Sequence, residues 1–125
     1  MQANVNIIGF RQQLLQVFIN LLVNASHAIE GQGKITIHSR IENNQVNICF
    51  KDNGVGITER HLQKIFDPFF TTKPLGKGTG LGLHRVRTII EEHQGRIDVS
   101  SNLGKGSTFS IYLPILLDEL SILPK

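Results

Sequence analysis

At 125 residues, with 40% hydrophobic and 18% charged side chains, the chain fits one globular domain burying roughly two thirds of its surface, which favours neither a disordered chain nor two domains. A formal charge of +3 and a pI near 9.3, with no run of five basic residues, leave no nucleic-acid footprint, so no nucleic-acid partner is expected and a bound anion suits the balance better. The single Cys49 excludes an internal disulfide and no metal-spaced Cys/His cluster accompanies it, so it reads as a small packed hydrophobe in a reducing compartment.

The first predicted element is a helix from Gln12 to Glu30, with Leu14, Phe18, Leu21, Leu22, Ala25 and Ile29 on its core face and EGQG as its stop. Its uncharged run from Gln12 to Ile29 holds seven polar residues, three of them Gln, so it is no membrane span, and no signal-peptide pattern is present at Met1. KITIHSRI and QVNICFKD alternate in polarity around the turn signal ENNQ and predict a β-hairpin. A short helix is expected over Glu59 to Ile65. A longer one runs from Leu83 to His93, with Leu83, Val86 and Ile90 inward and Gly95 as its stop. RIDVSS and STFSIYLP, joined by NLGKG, form a second hairpin with Phe109, Ile111 and Leu113 on one face. The fold class is therefore α+β: a two-layer sandwich in which helices cover one face of a mostly antiparallel mixed sheet.

Three constellations carry chemistry. The other face of the first helix presents Gln13, Gln16, Asn20, Asn24 and His27 at spacings of three and four, with no Lys, Arg, Asp or Glu among them. A polar but uninvolved surface is one reading. The other is a wall of amides, in which Asn20 and Asn24, one turn apart, offer neutral oxygens to Mg²⁺ and N–H groups to a polyphosphate. In KDNGVGI, strand alternation turns Asp52 toward the apolar layer with Val46, Ile48 and Phe50. Either Asp52 caps its own Asp-Asn-Gly turn, or it accepts a hydrogen bond from a ligand amine while Gly54 and Gly56 let the backbone approach a flat ring.

The third constellation is IFDPFFTTKPLGKGTGLGL, residues 65 to 83, where Phe66, Phe69 and Phe70 anchor a stretch too rich in Gly, Thr and Lys to pack. Lys73 and Lys77 supply cations, Thr71, Thr72 and Thr79 hydroxyls, and Gly78, Gly80 and Gly82 bare amides at a helix start, a combination suited to phosphate. A surface loop with incidental glycines is the alternative. No β-strand precedes the glycines, unlike a Walker or Rossmann phosphate loop.

QVFINLLVNASHAI, DNGVGI, IFDPFFTTK and GKGTGLGL resemble, in order and spacing, the asparagine box, first glycine box, phenylalanine box and second glycine box of the catalytic and ATP-binding domain of sensor histidine kinases. GKGSTFSIYLP is similar to that domain's last strand pair, so the likeness covers Arg11 to Pro114. It implies a Bergerat-type site: Asp52 bonding the adenine amine, Gly54 and Gly56 beside the ring, Asn24 on Mg²⁺ with Asn20 close by, and TTKPLGKGTG as a lid over the phosphates. The same boxes carry Ile57, Phe66, Thr72, Leu81 and Thr108 into the nucleotide site. His27 stands where many members have a phosphate-touching Lys.

The resemblance also implies an incomplete reaction. A histidine kinase transfers the γ-phosphate of ATP to a His on a separate dimerisation and phosphoacceptor domain, and then serves a response regulator. None of His27, His38, His61, His84 or His93 has that helical, acid-flanked setting, so the chain is expected to be one catalytic domain, residues 1–125, of a longer kinase. It would present ATP in line, with Mg²⁺, Lys73 and Lys77 neutralising charge and no nucleophile of its own. The expected isolated domain is monomeric and cytoplasmic and the expected parent a homodimer, with anchoring of that parent in the inner membrane left open by these residues. Gyrase-like, chaperone and mismatch-repair ATPases of the same superfamily place a Glu general base where this chain has Asn20, and an amide cannot take a proton from water. A non-catalytic nucleotide-binding module is the remaining alternative.

Overall fold

The computed structural model describes residues 7–71 and 81–115. Helix α1 spans Arg11–Ala28 and is followed by strands β1 (Ile35–Glu42) and β2 (Gln45–Asp52), the short helix α2 (Glu59–Leu62), helix α3 (Gly82–Glu92), and strands β3 (Arg96–Asn102) and β4 (Gly106–Pro114). The strands form one sheet in the order β1-β2-β4-β3, every pairing antiparallel, so among the described residues the sheet is not mixed. The β1–β2 hairpin closes on Asn43 and Asn44, with φ of 52° and 61°. Two consecutive left-handed residues make a turn whose twist matches the strands, and Asn tolerates that conformation better than most side chains.

Helices α1 and α3 lie on one face of the sheet. The core between them holds Val17 and Leu21 of α1, Val86, Ile89 and Ile90 of α3, and Phe50, Phe109, Ile111 and Leu113 of the two central strands. Pairing of Phe50 with Phe109 and of Ile48 with Ile111 keeps the apolar residues in one layer, while Lys51, Thr108 and Ser100 share the other. Cys49 is buried on that other layer, its Sγ 3.3 Å from Asn47 Oδ1.

Several boundaries and faces differ from expectation. Of the expected core face of α1, Leu21 and Ala25 are buried and Leu14 and Phe18 pack against the core, but Leu22 is 36% exposed and Val17, not expected there, is fully buried. α2 stops at Leu62 and the chain continues as turns, with Asp67 N–H donating to Lys64 O. The end of α3 is a Schellman arrangement in which Gly95 N–H bonds Ile90 O and Gln94 N–H bonds Glu91 O. The left-handed residue there is Gln94, with φ 61°, not the predicted stop Gly95.

Candidate functional site

A cavity of about 570 Å³ opens between α1, the end of β2, the α2 segment and the start of α3. Asn20, Asn24 and His27 line one side, Asp52 and Ser107 the floor, Gly56, Ile57, Thr58 and His61 another side, and Gly82 and Leu83 the far end. Four separately predicted features, the amide stripe, Asp52, the first glycine box and the helix start at Gly82, therefore meet in one place. Gln13 and Gln16 of the stripe do not line it, although Gln16 Nε2 donates to Asn20 Oδ1 at 2.8 Å.

Asp52 is the charged floor. Strand alternation carries it inward and leaves it 2% exposed. The turn-cap reading holds, Oδ1 accepting Gly54 N–H at 2.9 Å, and the same carboxylate lines the cavity. Oδ2 accepts no hydrogen bond from a described residue. Beside it in the sheet, Ser107 pairs with Asp52 and its hydroxyl lies 2.8 Å from that of Ser101, which in turn donates to Gly106 O and accepts Ile57 N–H. That relay fixes the first glycine box against the end of β3.

The two glycines of the box serve the protein before any ligand. A Cβ at Gly54 would lie 2.4 Å from Ala28 O, the carbonyl that also accepts Val55 N–H. One at Gly56, whose φ is +79°, would lie 2.3 Å from Asn102 O. Their bareness lets the loop pass between the end of α1 and the β3–β4 turn. Gly56 lines the cavity. Gly54 faces the shallow depression next to it instead, with Glu30 and Gly104, so only one of the pair is placed for a ring.

The amide wall is divided. Asn20 Nδ2 donates to Gly82 O at 3.3 Å, strapping α1 to the first residue of α3. Asn24, half-buried, makes no hydrogen bond among the described residues, so its amide oxygen is uncommitted. α3 begins after Leu81 without a side-chain cap, and its first intrahelical bond is Arg85 N–H to Leu81 O at 2.9 Å. The amides of Gly82, Leu83 and His84 therefore precede the helical ladder at the cavity's end, where an anion is favoured.

Other expected residues fall elsewhere. Phe66 does not line the cavity: its ring stands edge-on to Phe109 with centroids 6.5 Å apart, and Ile65 and Phe70 are the wall residues. Thr108 pairs with Lys51 and Ser100 on the opposite layer, so Ser107 takes the position expected for it. Leu81 is the N-cap of α3 and does not line the cavity. Thr72, Lys73, Lys77, Gly78, Thr79 and Gly80 lie outside the described residues. Sequence reasoning missed Val23, Val55, Thr58, His61 and Leu103, which add apolar and hydrogen-bonding lining without a motif of their own.

Among the described residues no three His, Cys, Asp or Glu side chains gather to hold a metal, and no helix is long and apolar enough to cross a membrane. A donor set of one uncommitted amide oxygen suits Mg²⁺ that arrives with phosphate oxygens and keeps its own waters, rather than a metal caged by protein.

Comparison with known proteins identifies the arrangement. Residues 9–117 match the family model described as histidine kinase-, DNA gyrase B-, and HSP90-like ATPase. The signal transduction histidine-protein kinase AtoS of Escherichia coli K12 is 49% identical over 106 residues, covering 84% of this chain and 17% of AtoS. The chain spans only 17% to 22% of the length of such curated sensor kinases. Among solved structures, the nucleotide-free catalytic domain of histidine kinase ThkA has a TM-score of 0.76 at 39% identity, covering 86% of this chain and 70% of that one. Full-length ShkA in complex with AMPPNP has a TM-score of 0.74 at 27% identity, covering 82% of this chain and 21% of that one. The chain belongs to the histidine kinase-, DNA gyrase B- and HSP90-like ATPase family, as an ATP-binding catalytic domain of the sensor histidine kinase type.

Proposed function

We propose that this domain binds Mg-ATP in the cavity above Asp52 and donates the γ-phosphoryl group to a His on a separate dimerisation and phosphoacceptor domain. The observation that carries the reading is Asp52: a carboxylate 2% exposed on a cavity floor, with one oxygen held by its own turn and the other accepting no hydrogen bond from a described residue. An acceptor left over on a cavity floor suits a ligand donor, and the exocyclic amine of adenine is one. The AMPPNP bound by the similar ShkA supports an adenine nucleotide.

The remaining geometry supports a path for the triphosphate. It would run from the floor toward the uncapped start of α3, past Asn24 on its α1 side, with Lys73 and Lys77 as further cations. Asn24 and the phosphates would hold Mg²⁺, whose charge lowers the cost of the charge developing on the transferred group. Asn20 keeps α1 and α3 at a fixed separation through Gly82 O, and as an amide it takes up no proton. Asp52 is the only carboxylate among the described lining residues, and it sits at the base end. Nucleophile activation is therefore left to the domain that brings the His, which favours a kinase half-reaction over water-attacking ATPase chemistry.

Service to a response regulator, a homodimeric parent and a cytoplasmic position with the parent anchored in the inner membrane belong to the same proposal. The test is titration of a fluorescent ATP analogue. Asp52→Ala should weaken binding by about 1.5–3 kcal/mol, roughly 10- to 150-fold. Unchanged affinity would remove Asp52 from the site.

A further inference from the structure

Outside the cavity wall, α3 grips one residue of the preceding segment at two points. His84 Nδ1 lies 3.2 Å from Phe66 O, and since a carbonyl only accepts, Nδ1 carries the proton and donates. One turn further on, the Arg87 guanidinium carbon lies 5.6 Å from the centroid of the Phe66 ring, and Arg87 Nε is held by Glu91 Oε2 at 3.2 Å. Backbone and ring of Phe66 are thus both held from the first two turns of α3. The third hold is the edge contact of that ring with Phe109 in the sheet.

The held residue separates two parts of the site. Ile65, immediately before it, and Phe70, at the end of the same run of turns, form one wall of the cavity, while Gly82 and Leu83, immediately before His84, form the end where α3 begins. We propose that His84, seconded by Arg87, is a positioning residue for the nucleotide site: it latches the Phe66 segment onto α3 and so fixes the spacing between the Ile65–Phe70 wall and the helix start. Neither side chain lines the cavity, so the latch acts through the two walls. This role rests on the cavity being the ATP site, but the latch itself does not need a nucleotide to be seen.

The experiment compares wild type, His84→Ala and His84→Asn by two readouts, with thermal melts run on all three to confirm folding. Titration with Mg-ATP should show about a five-fold loss for His84→Ala, the equivalent of one neutral hydrogen bond, and recovery of most of it in His84→Asn, whose amide donates at a similar reach. Hydrogen exchange in the nucleotide-free protein should show residues 64–71 exchanging several-fold faster in His84→Ala than in wild type, with the strands unchanged. Equal affinity in wild type and His84→Ala, or no recovery in His84→Asn, would overturn the positioning role. Should wild type itself fail to bind Mg-ATP, the functional reading falls, while the exchange rates still decide whether the latch exists.

Discussion

The floor of the cavity and its α1 side are built on opposite plans. On the floor, Asp52 and Ser107 are buried and tied into the sheet, the Ser101–Ser107 hydroxyl pair and the Asp52–Gly54 bond leaving little to rearrange. On the α1 side, Asn24 is half-exposed and makes no hydrogen bond among the described residues, and its neighbour Asn20 spans to α3 by a single long contact. A base is a rigid, neutral, flat object, and a preformed floor recognises it at little entropic cost. A polyphosphate with its metal and waters varies in arrangement during a reaction, and on the proposed reading the uncommitted amide of Asn24 could follow it.

Substitutions on the two sides should therefore separate stability from transfer. Asn24→Ala should have the largest effect and should leave folding alone. Radiolabel transfer from γ-labelled ATP to a His of the dimerisation domain supplied in trans should fall by several kcal/mol in the transition state, as expected for loss of a metal ligand. The melting curve should stay within about 0.5 kcal/mol of wild type. Brisk phosphate release by the isolated domain, insensitive to Asn24→Ala, would break both halves of the comparison.

Gly56→Ala is the converse. A Cβ at φ +79° and 2.3 Å from Asn102 O must push the loop off the β3–β4 turn, so urea unfolding should show a loss of about 2–3 kcal/mol. Ser107→Ala removes one hydroxyl from the floor and should cost about 1 kcal/mol of stability, measured the same way. Thr108→Ala, one residue further along β4 and on the opposite layer, should change both stability and ATP affinity by less than about 0.5 kcal/mol. A Thr108 effect larger than that of Ser107 would show that the floor has been assigned to the wrong side of β4.

The same pair shows what was legible in the sequence. Period-two alternation of Phe109, Ile111 and Leu113 already assigns Ser107 to their face and Thr108 to the other, so the signal was present and the match of boxes overrode it. Asp52 was placed inward by that same alternation, and the structure agrees. On α1 the period was harder to phase. Leu14, Leu15, Val17, Phe18, Ile19, Leu21, Leu22 and Val23 leave almost no polar gap, so several apolar stripes fit, and only packing against α3 and β2 selects Val17 over Leu22. The phenylalanine box had no readable period at all. It runs through turns, with Phe69 at φ 69°, so neither helix nor strand spacing says which ring faces the cavity.

The half-occupied carboxylate of Asp52 has a further consequence, for the choice between purines. Because Oδ1 accepts Gly54 N–H, the turn orients the carboxylate before a base arrives, and Oδ2 accepts no hydrogen bond from a described residue. An incoming base edge must present hydrogen there. On the proposed reading the amino group of adenine would do so, whereas the 6-oxo group of a guanine in the same pose would set one oxygen lone pair against another. If Asp52 meets the base as proposed, this turn would favour ATP over a GTP bound in the same pose.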